Sequence, residues 1–335
     1  MRAIQQTKYA KEPFDLEIVE LPKPAISAHQ VLVKVLAAGL NPLDYKLMTG
    51  GIRPILPYKT PFTSGNEFSG IIEEVGPDVT EFRVGDRVYG RMTLEEPGAF
   101  ADYVAIAATE IAPMPDYLSF EEAAGVPLTA LTAYQALDLL KVEAGKTIFI
   151  SGGTGGFGAM AIPLAKARGL RVVTNGRAVH KERMLSLGVD QFIDYQTEDY
   201  ADLLSNVDYV IDTLGGDELV KQFSILKKGG SLVSLDGMPN RAFAKEMGLS
   251  MFKQLLFGLV GRKYDKLAAK NQQTYHFIFV HSEGQQLREI SRIFSEKQIP
   301  IFIDKVYAFE EINIALNKLR QGGSKGKSIL RVQEV

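Results

Sequence analysis

A glycine-rich turn is the part of the sequence whose spacing points most directly to chemistry. Six consecutive residues form a G-x-G-x-x-G pattern: Gly153, Thr154, Gly155, Gly156, Phe157 and Gly158. An apolar run at 147–150 precedes the pattern and indicates a strand, and the alanine-rich stretch that follows it up to Arg168 indicates a helix. In that context the glycines let a pyrophosphate approach the backbone, and the helix N-terminus offers N–H groups and partial positive charge. The pattern therefore predicts a dinucleotide-binding site.

The end of the next predicted strand indicates which dinucleotide binds. That strand, 170–174, runs into Asn175, Gly176 and Arg177, at the distance where NAD enzymes place an acid on the ribose 2′-hydroxyl. An acid there would repel a 2′-phosphate, whereas a guanidinium can hold it through charge-assisted hydrogen bonds. Arg177, with Lys181 behind it, therefore favours NADPH; the alternative is a solvated basic turn.

Composition excludes several classes of function. The chain has 335 residues, 46% of them hydrophobic, which suffices for a sizeable core and two domains. A net charge of -2 gives no overall field for nucleic acid, so nucleic-acid partners are not expected. The absence of cysteine excludes disulfides, a thiol nucleophile and cysteine-ligated metal. No signal peptide or integral membrane segment is apparent, and we expect a cytoplasmic protein.

The pattern along the chain predicts two kinds of domain. Residues 1 to about 110 alternate β-branched runs with Gly and Pro, which is typical of a β-rich domain. From residue 120, predicted helices at 120–140, 156–168, 179–187, 198–205 and 217–226 alternate with strands at 147–152, 170–175, 190–194, 207–213 and 229–235. This alternation predicts an α/β domain with a doubly wound parallel sheet. We place the dinucleotide-binding domain at 120–284 and the β-rich domain at 1–119 with 285–335.

The histidines argue against a zinc site. His29, His180, His276 and His281 show no ligand spacing within the β-rich half, and the chain has no H-E-x-x-H. His276 and His281 flank the apolar run 277–280, which predicts a buried strand with a histidine at each end. No metal is expected.

Five further motifs carry a resemblance to a known family. They are 38–44 (AGLNPLD), 65–70 (GNEFSG), 84–88 (VGDRV), 127–134 (PLTALTAY) and 326–330 (GKSIL). With the order of domains, they resemble the medium-chain dehydrogenase/reductase superfamily over nearly the whole chain. Within it, the sequence is similar to the zinc-free quinone oxidoreductases and enone reductases. The resemblance implies a GroES-like catalytic domain and a Rossmann domain.

Within that family, the zinc enzymes bind their catalytic metal with two cysteines and a histidine. The matching positions here are Asn41, Leu128 and Asn66, and the cysteine-rich structural zinc lobe is absent from 90–98. An amide or an isobutyl group cannot replace a thiolate or an imidazole on zinc. The resemblance therefore implies a zinc-independent enzyme.

Without zinc, the accessible chemistry is hydride delivery to acceptors that spread the resulting charge, such as quinones and enones or enals. Asn41 and Asp44 are the polar candidates. By resemblance Asn41 contacts the nicotinamide ribose; its alternative is an Asx turn before Pro42, and Asp44 reads better as an anchor than as an acid. Tyr45 or Tyr58 could donate a proton, packing is the competing role for each, and solvent could serve instead.

The remaining candidate cofactor contacts follow from matched positions and from the sheet edge. The resemblance implies that Thr129 and Thr132 lie near the nicotinamide and Tyr195 beside the adenosine, with helix packing as the alternative for the threonines. Leu214, Gly215, Asp236 and Gly237 follow predicted strands, where open α/β sheets bind ligands. Lys325 and Lys327 either close over the cofactor or form a solvated basic turn.

The segment 247–270 has an apolar half followed by a basic half. It is too short to span a bilayer, and it could pack near the active-site cleft, cover substrate, form an oligomer contact or lie on a membrane surface. By resemblance, a homodimer would form through the strand at 275–281.

These observations predict an NADPH-dependent, zinc-independent oxidoreductase acting on quinones or small activated alkenes. The alternatives are a zinc-free alcohol or aldehyde reductase, and a weakly catalytic NADPH-binding protein acting as a peripheral membrane or regulatory partner.

Overall fold

The computed structural model describes residues 1–12, 14–322 and 326–334. The strands are β1 Arg2–Gln6, β2 Glu17–Glu20, β3 Gln30–Leu40, β4 Phe62–Thr63, β5 Glu67–Val75, β6 Arg87–Arg91, β7 Tyr103–Ala107, β8 Ile111–Pro113, β9 Thr147–Ile150, β10 Arg171–Gly176, β11 Gln191–Asp194, β12 Val207–Asp212, β13 Leu226–Ser234, β14 Thr274–Phe277, β15 Ile303–Ala308 and β16 Lys327–Arg331. The α-helices are α1 Pro42–Met48, α2 Phe120–Ala124, α3 Pro127–Leu139, α4 Gly156–Ala167, α5 Lys181–Ser186, α6 Tyr200–Leu203, α7 Gly216–Gln222, α8 Arg241–Glu246, α9 Met251–Val260, α10 Arg262–Lys270, α11 Gly284–Lys297 and α12 Ile312–Gln321.

The chain divides into two compact units. Unit 1 comprises Met1–Leu131 and His281–Val335, and unit 2 comprises Thr132–Val280, so that one division lies within α3. No helix in the described part of the chain is both long and apolar enough to cross a bilayer.

Unit 1 is built on a mixed sheet in the order β15-β16-β3-β5-β6-β8, with β7 also paired to β3. β3 is central and long, and its side chains are buried along most of its length because other elements cover both faces of the sheet. Val33, Phe68, Val88 and Leu330 belong to one apolar cluster beneath it. This arrangement brings the end of β3 beside the starts of β5 and β16.

Unit 2 is a parallel sheet in the order β11-β10-β9-β12-β13-β14, with parallel pairing between each pair of neighbours. The chain moves outward from β9 in one direction through β10 and β11, and in the other through β12 to β14. The order reverses between β9 and β12, where open α/β sheets bind ligands beyond the carboxyl ends of their strands. The predicted doubly wound sheet is confirmed.

Two predicted elements are wrong in detail. The helix at 120–140 is two helices, α2 and α3, because a residue before proline avoids the α conformation and Val126 precedes Pro127, which begins α3. The strand at 277–280 is β14, Thr274–Phe277, so His276 lies within a strand. β14 ends there because its last residue pairs with Ser234, the last residue of β13, and the neighbouring strand offers no further partners.

Candidate active site

The glycine-rich turn connects β9 to α4 as predicted, and the end of β10 holds it. The Gly152 N–H donates to Asn175 Oδ1 at 2.8 Å, and the Gly153 N–H donates to Thr174 Oγ1 at 3.1 Å. Gly155 precedes the first residue of α4 in an extended conformation, and Gly156 and Phe157 form the first turn of that helix. The helix therefore begins with its free N–H groups at the turn.

The glycines of the turn have different reasons to be glycine. A Cβ on Gly153 would lie 2.1 Å from Thr174 Oγ1, and one on Gly158 would lie 1.9 Å from the Gly153 carbonyl oxygen, so strand, turn and helix pack too closely there for a side chain. At the exposed Gly155, the nearest atom to such a Cβ would be the Gly152 carbonyl oxygen, 3.7 Å away. Contacts within the protein thus do not require glycine at 155, and the space suits a ligand that approaches the backbone.

The residues at the end of β10 and those that follow it have two different roles. Asn175 is buried and its amide oxygen is engaged by the turn, while a Cβ on Gly176 would lie 2.1 Å from Thr154 Cγ2. Asn175 and Gly176 therefore support the glycine-rich turn through a hydrogen bond and close packing. Arg177 and Lys181 are exposed, which leaves their charges accessible to a ligand.

Arg183 is a cation beside the turn that the sequence did not single out. One of its Nη atoms donates to the Thr154 carbonyl, and burial lowers the pKa of its guanidinium from the ordinary value. Arg183 lies on α5, two residues after Lys181. Nothing in the local sequence pattern indicates its contact with Thr154, 29 residues away.

A buried carboxylate organises the loops after β12 and β13. Asp212 accepts hydrogen bonds from the N–H groups of Leu214 and Gly215, at 3.1 and 3.2 Å, and from Ser234 Oγ at 2.6 Å. Sequence reasoning selected Leu214, Gly215, Asp236 and Gly237 here but not Asp212. A Cβ on Gly215 would lie 2.6 Å from the Asp236 carbonyl oxygen, so the two loops are in contact.

Leu214 and Tyr195 are exposed large apolar side chains at this edge, and Asp236 is exposed as well. Tyr195 follows β11, and its N–H donates to the Gly176 carbonyl at 3.2 Å. All these residues lie in unit 2, at the carboxyl ends of parallel strands.

Unit 1 contains a buried polar cluster formed by Asn41, Glu67, Thr129 and Lys327. Lys327 Nζ donates to Glu67 Oε1 at 2.6 Å, Asn41 Oδ1 at 2.7 Å and Thr129 Oγ1 at 3.2 Å. Asn41 Nδ2 donates to the same Glu67 Oε1 at 2.7 Å. Glu67 is 0% exposed and Lys327 is 6% exposed, so the ion pair is shielded from water.

The cluster satisfies almost all of its own hydrogen-bonding capacity. All three protons of the Lys327 ammonium have acceptors, and Glu67 Oε2 accepts the Leu128 N–H at 2.8 Å, in the first turn of α3. Gly39 must lack a side chain, because its Cβ would lie 2.3 Å from Glu67 Oε1. The cluster therefore holds β3, β5, β16 and the start of α3 in a fixed arrangement.

One alternative considered from the sequence is wrong. Asn41 precedes α1 as its N-cap residue, and its Oδ1 also accepts a hydrogen bond from Lys327. Lys327 is not part of a solvated basic turn, because it is buried against Glu67. Lys325 lies outside the described residues.

Asp44 anchors the loop that carries Asn41. Its carboxylate accepts the Asn41 N–H and Asn66 Nδ2, each at 2.7 Å. Burial raises the pKa of Asp44 to about 7, opposed by those two hydrogen bonds. Both Asn41 and Asn66 are thus oriented by carboxylates beside them.

The two candidate proton donors differ in their surroundings. The Tyr58 hydroxyl donates to the Leu94 carbonyl, and burial raises the pKa of Tyr58 to about 12. That hydroxyl is committed to the backbone. Tyr45 is half-buried on α1, one residue after Asp44. Thr132, on α3 one turn after Thr129, is buried.

A second buried cation lies opposite Glu67 in the sheet. Arg91 on β6 pairs with Glu67 in the β5–β6 register, is 0% exposed and donates to the Met92 carbonyl at 2.7 Å. Burial lowers the pKa of Arg91 to about 10, against the opposing field of nearby acids that include Glu67. No local pattern in the sequence indicates that Arg91 is buried beside Glu67.

Zinc does not fit these residues. The positions that match zinc ligands hold amides at 41 and 66 and an apolar side chain at 128, and the Lys327 ammonium binds one of those amides. Within the described ranges, no three or more His, Cys, Asp or Glu side chains are grouped so as to hold a metal ion.

Comparison with known proteins relates the whole chain to oxidoreductases. Residues 27–116 match the family of alcohol dehydrogenase GroES-like domains, and residues 187–330 match a family described as zinc-binding dehydrogenase. The chain is 30% identical over 317 residues to 2-methylene-furan-3-one reductase from Solanum lycopersicum, covering 92% of this chain and 73% of that protein. It is 27% identical over 340 residues to a chloroplastic quinone-oxidoreductase homolog from Spinacia oleracea, covering 98% of each.

A solved structure agrees with these relationships. The quinone oxidoreductase from Coxiella burnetii superposes with a TM-score of 0.84 at 30% identity and covers 99% of both chains. Three findings lead to one assignment: unit 1 is GroES-like, unit 2 contains a parallel sheet of the nucleotide-binding type, and the relatives are oxidoreductases. The chain belongs to the medium-chain dehydrogenase/reductase superfamily, in its quinone oxidoreductase-like class, and is an oxidoreductase of the kind that uses a nicotinamide cofactor.

Proposed function

We propose that this protein is an NADPH-dependent, zinc-independent oxidoreductase that reduces quinones or small activated alkenes such as enones and enals. The observation that carries the proposal is the Lys327 ammonium, buried among Asn41, Glu67 and Thr129 at the positions related to a zinc site. A fixed cation there leaves no ligand set for zinc. Without a Lewis acid, the accessible acceptors are those whose reduced form delocalises its charge.

The names of relatives support the same substrate class. They include a 2-methylene-furan-3-one reductase and a quinone-oxidoreductase homolog, and the similar solved structure is of a quinone oxidoreductase. We extend that chemistry to this chain as a proposal.

Bound NADPH supplies the hydride. We assign the pyrophosphate to the turn around Gly155 and the N-terminus of α4, because the turn has room there and N–H groups that lack helical partners. We assign the 2′-phosphate to Arg177 and Lys181, because both are exposed at the end of β10 where no acid stands. Arg183 adds positive charge at Thr154.

In unit 1, we propose that Asn41 is a positioning residue. Its amide is engaged by Glu67 and Lys327, which holds the loop between β3 and α1 in one conformation. Asp44 secures the same loop from its other side. Tyr45 is the proton donor that we propose to test, because the Tyr58 hydroxyl is committed to the Leu94 carbonyl.

Steady-state kinetics test this function. Chelator-treated protein, of measured metal content, is assayed with NADPH and with NADH against simple quinones, enones, enals and saturated aldehydes. We expect NADPH oxidation with quinones or enones and no gain on adding zinc. Stoichiometric zinc whose removal abolishes activity, a preference for NADH, or activity confined to saturated aldehydes would each contradict a named part of the proposal.

Two further features remain predictions. A homodimer could form by pairing at β14, which is an edge strand of the unit 2 sheet; sedimentation equilibrium of the wild-type protein measures this, and a monomer would contradict the prediction. The cytoplasmic location is testable by fractionation.

A further inference from the structure

Helix α9 presents an apolar face to solvent. Six of its ten residues are exposed large hydrophobic side chains: Met251, Phe252, Leu255, Leu256, Leu259 and Val260. They form three adjacent pairs, 251 and 252, 255 and 256, and 259 and 260, that repeat every four residues, which places them on a single side of the helix. Phe252 is 76% exposed and Leu259 is 68% exposed, so water covers most of these side chains.

The opposite side of α9 fixes the helix to unit 2. Phe257 is buried, and its ring meets the Phe243 ring of α8 edge to face at 6.3 Å. Ser250 caps the helix through the Lys253 N–H at 3.4 Å. The exposed face is therefore carried on an ordered helix, and a contiguous apolar surface of this kind marks an interaction site.

The segment that carries the apolar face, α9 together with the next helix α10, is positively charged. Residues 251–270 contain five basic side chains, Lys253, Arg262, Lys263, Lys266 and Lys270, and one acidic side chain, Asp265, a net charge of +4 in a chain whose net charge is -2. Asp265 accepts a hydrogen bond from Asn240 at 2.8 Å, and the four basic residues of α10 are exposed. This 20-residue segment thus opposes the charge of the rest of the molecule.

From this combination we infer that α9 and α10 form a docking surface for an anionic phospholipid bilayer. The apolar side chains of α9 enter the boundary between headgroups and acyl chains, while the cations of α10 meet lipid phosphates. Ten residues span about 15 Å of helix, half the hydrocarbon thickness, so α9 lies in the plane of the interface. A second copy of the chain fits less well, because a two-fold contact would bring two segments of net charge +4 together.

Vesicle co-sedimentation tests this inference with the full-length protein. One set of vesicles is phosphatidylcholine alone, and the other is an equimolar mixture of phosphatidylcholine and phosphatidylglycerol. We expect binding to the mixed vesicles at low salt, at least tenfold weaker binding to the neutral vesicles, and release near 0.5 M salt, where the screening length is only a few ångströms.

Two pairs of variants separate the apolar from the electrostatic part. Phe252→Ser/Leu259→Ser should weaken binding to mixed vesicles by about tenfold or more, because each substitution removes apolar groups that would be buried in the bilayer. Its matched control, Val179→Ser/Ile314→Ser, removes exposed apolar side chains elsewhere and should bind as wild type does.

The second pair addresses charge. Lys263→Gln/Lys266→Gln should weaken binding about 25-fold at low salt, since each cation near an anionic surface contributes about fivefold. Lys297→Gln/Lys318→Gln, with exposed lysines on α11 and α12, is the control for net charge and should bind as wild type does.

Several results would overturn the inference. Wild type that fails to sediment with mixed vesicles, or binds neutral vesicles equally, excludes an anionic bilayer. If light scattering shows a dimer that Phe252→Ser/Leu259→Ser converts to a monomer, the face is an interface between two copies. If that variant leaves vesicle binding intact but raises KM for apolar acceptors, the face serves the substrate.

Discussion

Replacing Lys327 by methionine removes the cation from the buried cluster of unit 1 while keeping an unbranched apolar stem of similar length. Among the described residues, the variant leaves the Glu67 carboxylate, 0% exposed, with the Asn41 amide and the Leu128 N–H as hydrogen-bond donors and with Arg91 as a cation in its field. Breaking one half of a buried ion pair costs about 3–5 kcal/mol, because the charge left behind is poorly compensated. We expect Lys327→Met to lower the free energy of unfolding of unit 1 by that amount.

The double variant measures the interaction itself. Glu67→Gln alone should also destabilise, because it leaves the Lys327 ammonium without a counter-charge. Glu67→Gln/Lys327→Met removes both charges, so its cost should fall short of the summed single costs by about 2–3 kcal/mol. Lys221→Met is the control: the Lys221 ammonium is 2.6 Å from Asp199, but both side chains are about one-third or more exposed, and an exposed pair contributes little to stability.

Urea unfolding followed by circular dichroism gives the free energies, and hydrogen exchange of the β5 and β16 amides reports on unit 1 separately, since two units need not unfold together. A coupling below about 1 kcal/mol, or an equal loss in Lys221→Met and Lys327→Met, would refute the reasoning that the buried pair holds β3, β5 and β16 together. Zinc content and activity of the same variants show whether removing the ammonium changes the metal requirement.

Further predictions concern the cofactor turn and the polar loop. Gly158→Ala should destabilise the protein by about 3 kcal/mol or more, because its Cβ would meet a backbone oxygen at 1.9 Å, whereas Gly155→Ala should keep its stability and lose about tenfold in NADPH affinity, measured by thermal shift and fluorescence titration. The two glycines should not behave alike. Arg177→Ala should lower kcat/KM for NADPH by about 10- to 150-fold with little change for NADH; equal losses would remove Arg177 from the 2′-phosphate site. Burial raises the pKa of Asp44 to about 7, above the value near 3.9 of an unfolded chain, so its ionisation removes stability as pH rises from about 4 to about 7, by at most about 4 kcal/mol. Denaturation of wild type and Asp44→Asn across this range should show that the wild type loses free energy of unfolding relative to the variant as pH rises, and parallel curves would contradict the shift. If Tyr45 donates the proton, Tyr45→Phe should lower enone turnover by about 10²- to 10⁴-fold with NADPH binding intact, and an unchanged rate assigns the step to solvent.

The sequence by itself determined the features that depend on local order along the chain. The turn from β9 into α4 was readable because glycine spacing, the preceding apolar strand and the following helix are contiguous. The alternation of helices and strands after residue 120 was enough to predict the parallel sheet, and the five motifs together with the order of domains were enough to indicate the family. Element ends were less accurate, as at Pro127 and β14, because they depend on a neighbouring proline or on where a partner strand stops.

Only the tertiary structure decided which polar groups are partners. Lys327 and Glu67 are 260 positions apart, and no period or motif relates them; the pairing of β16 and β5 with β3 brings them within 2.6 Å. The roles of Asp212 and Arg183 could not be predicted either. In sequence, a buried carboxylate that accepts hydrogen bonds from loop N–H groups looks like any acid at the end of a strand. The contact of Arg183 with Thr154 depends on how α5 packs beside the turn. The burial of a side chain also depends on the tertiary structure. Residue type alone does not determine exposure, and packing places Lys327 in the interior and leaves Phe252 exposed to water.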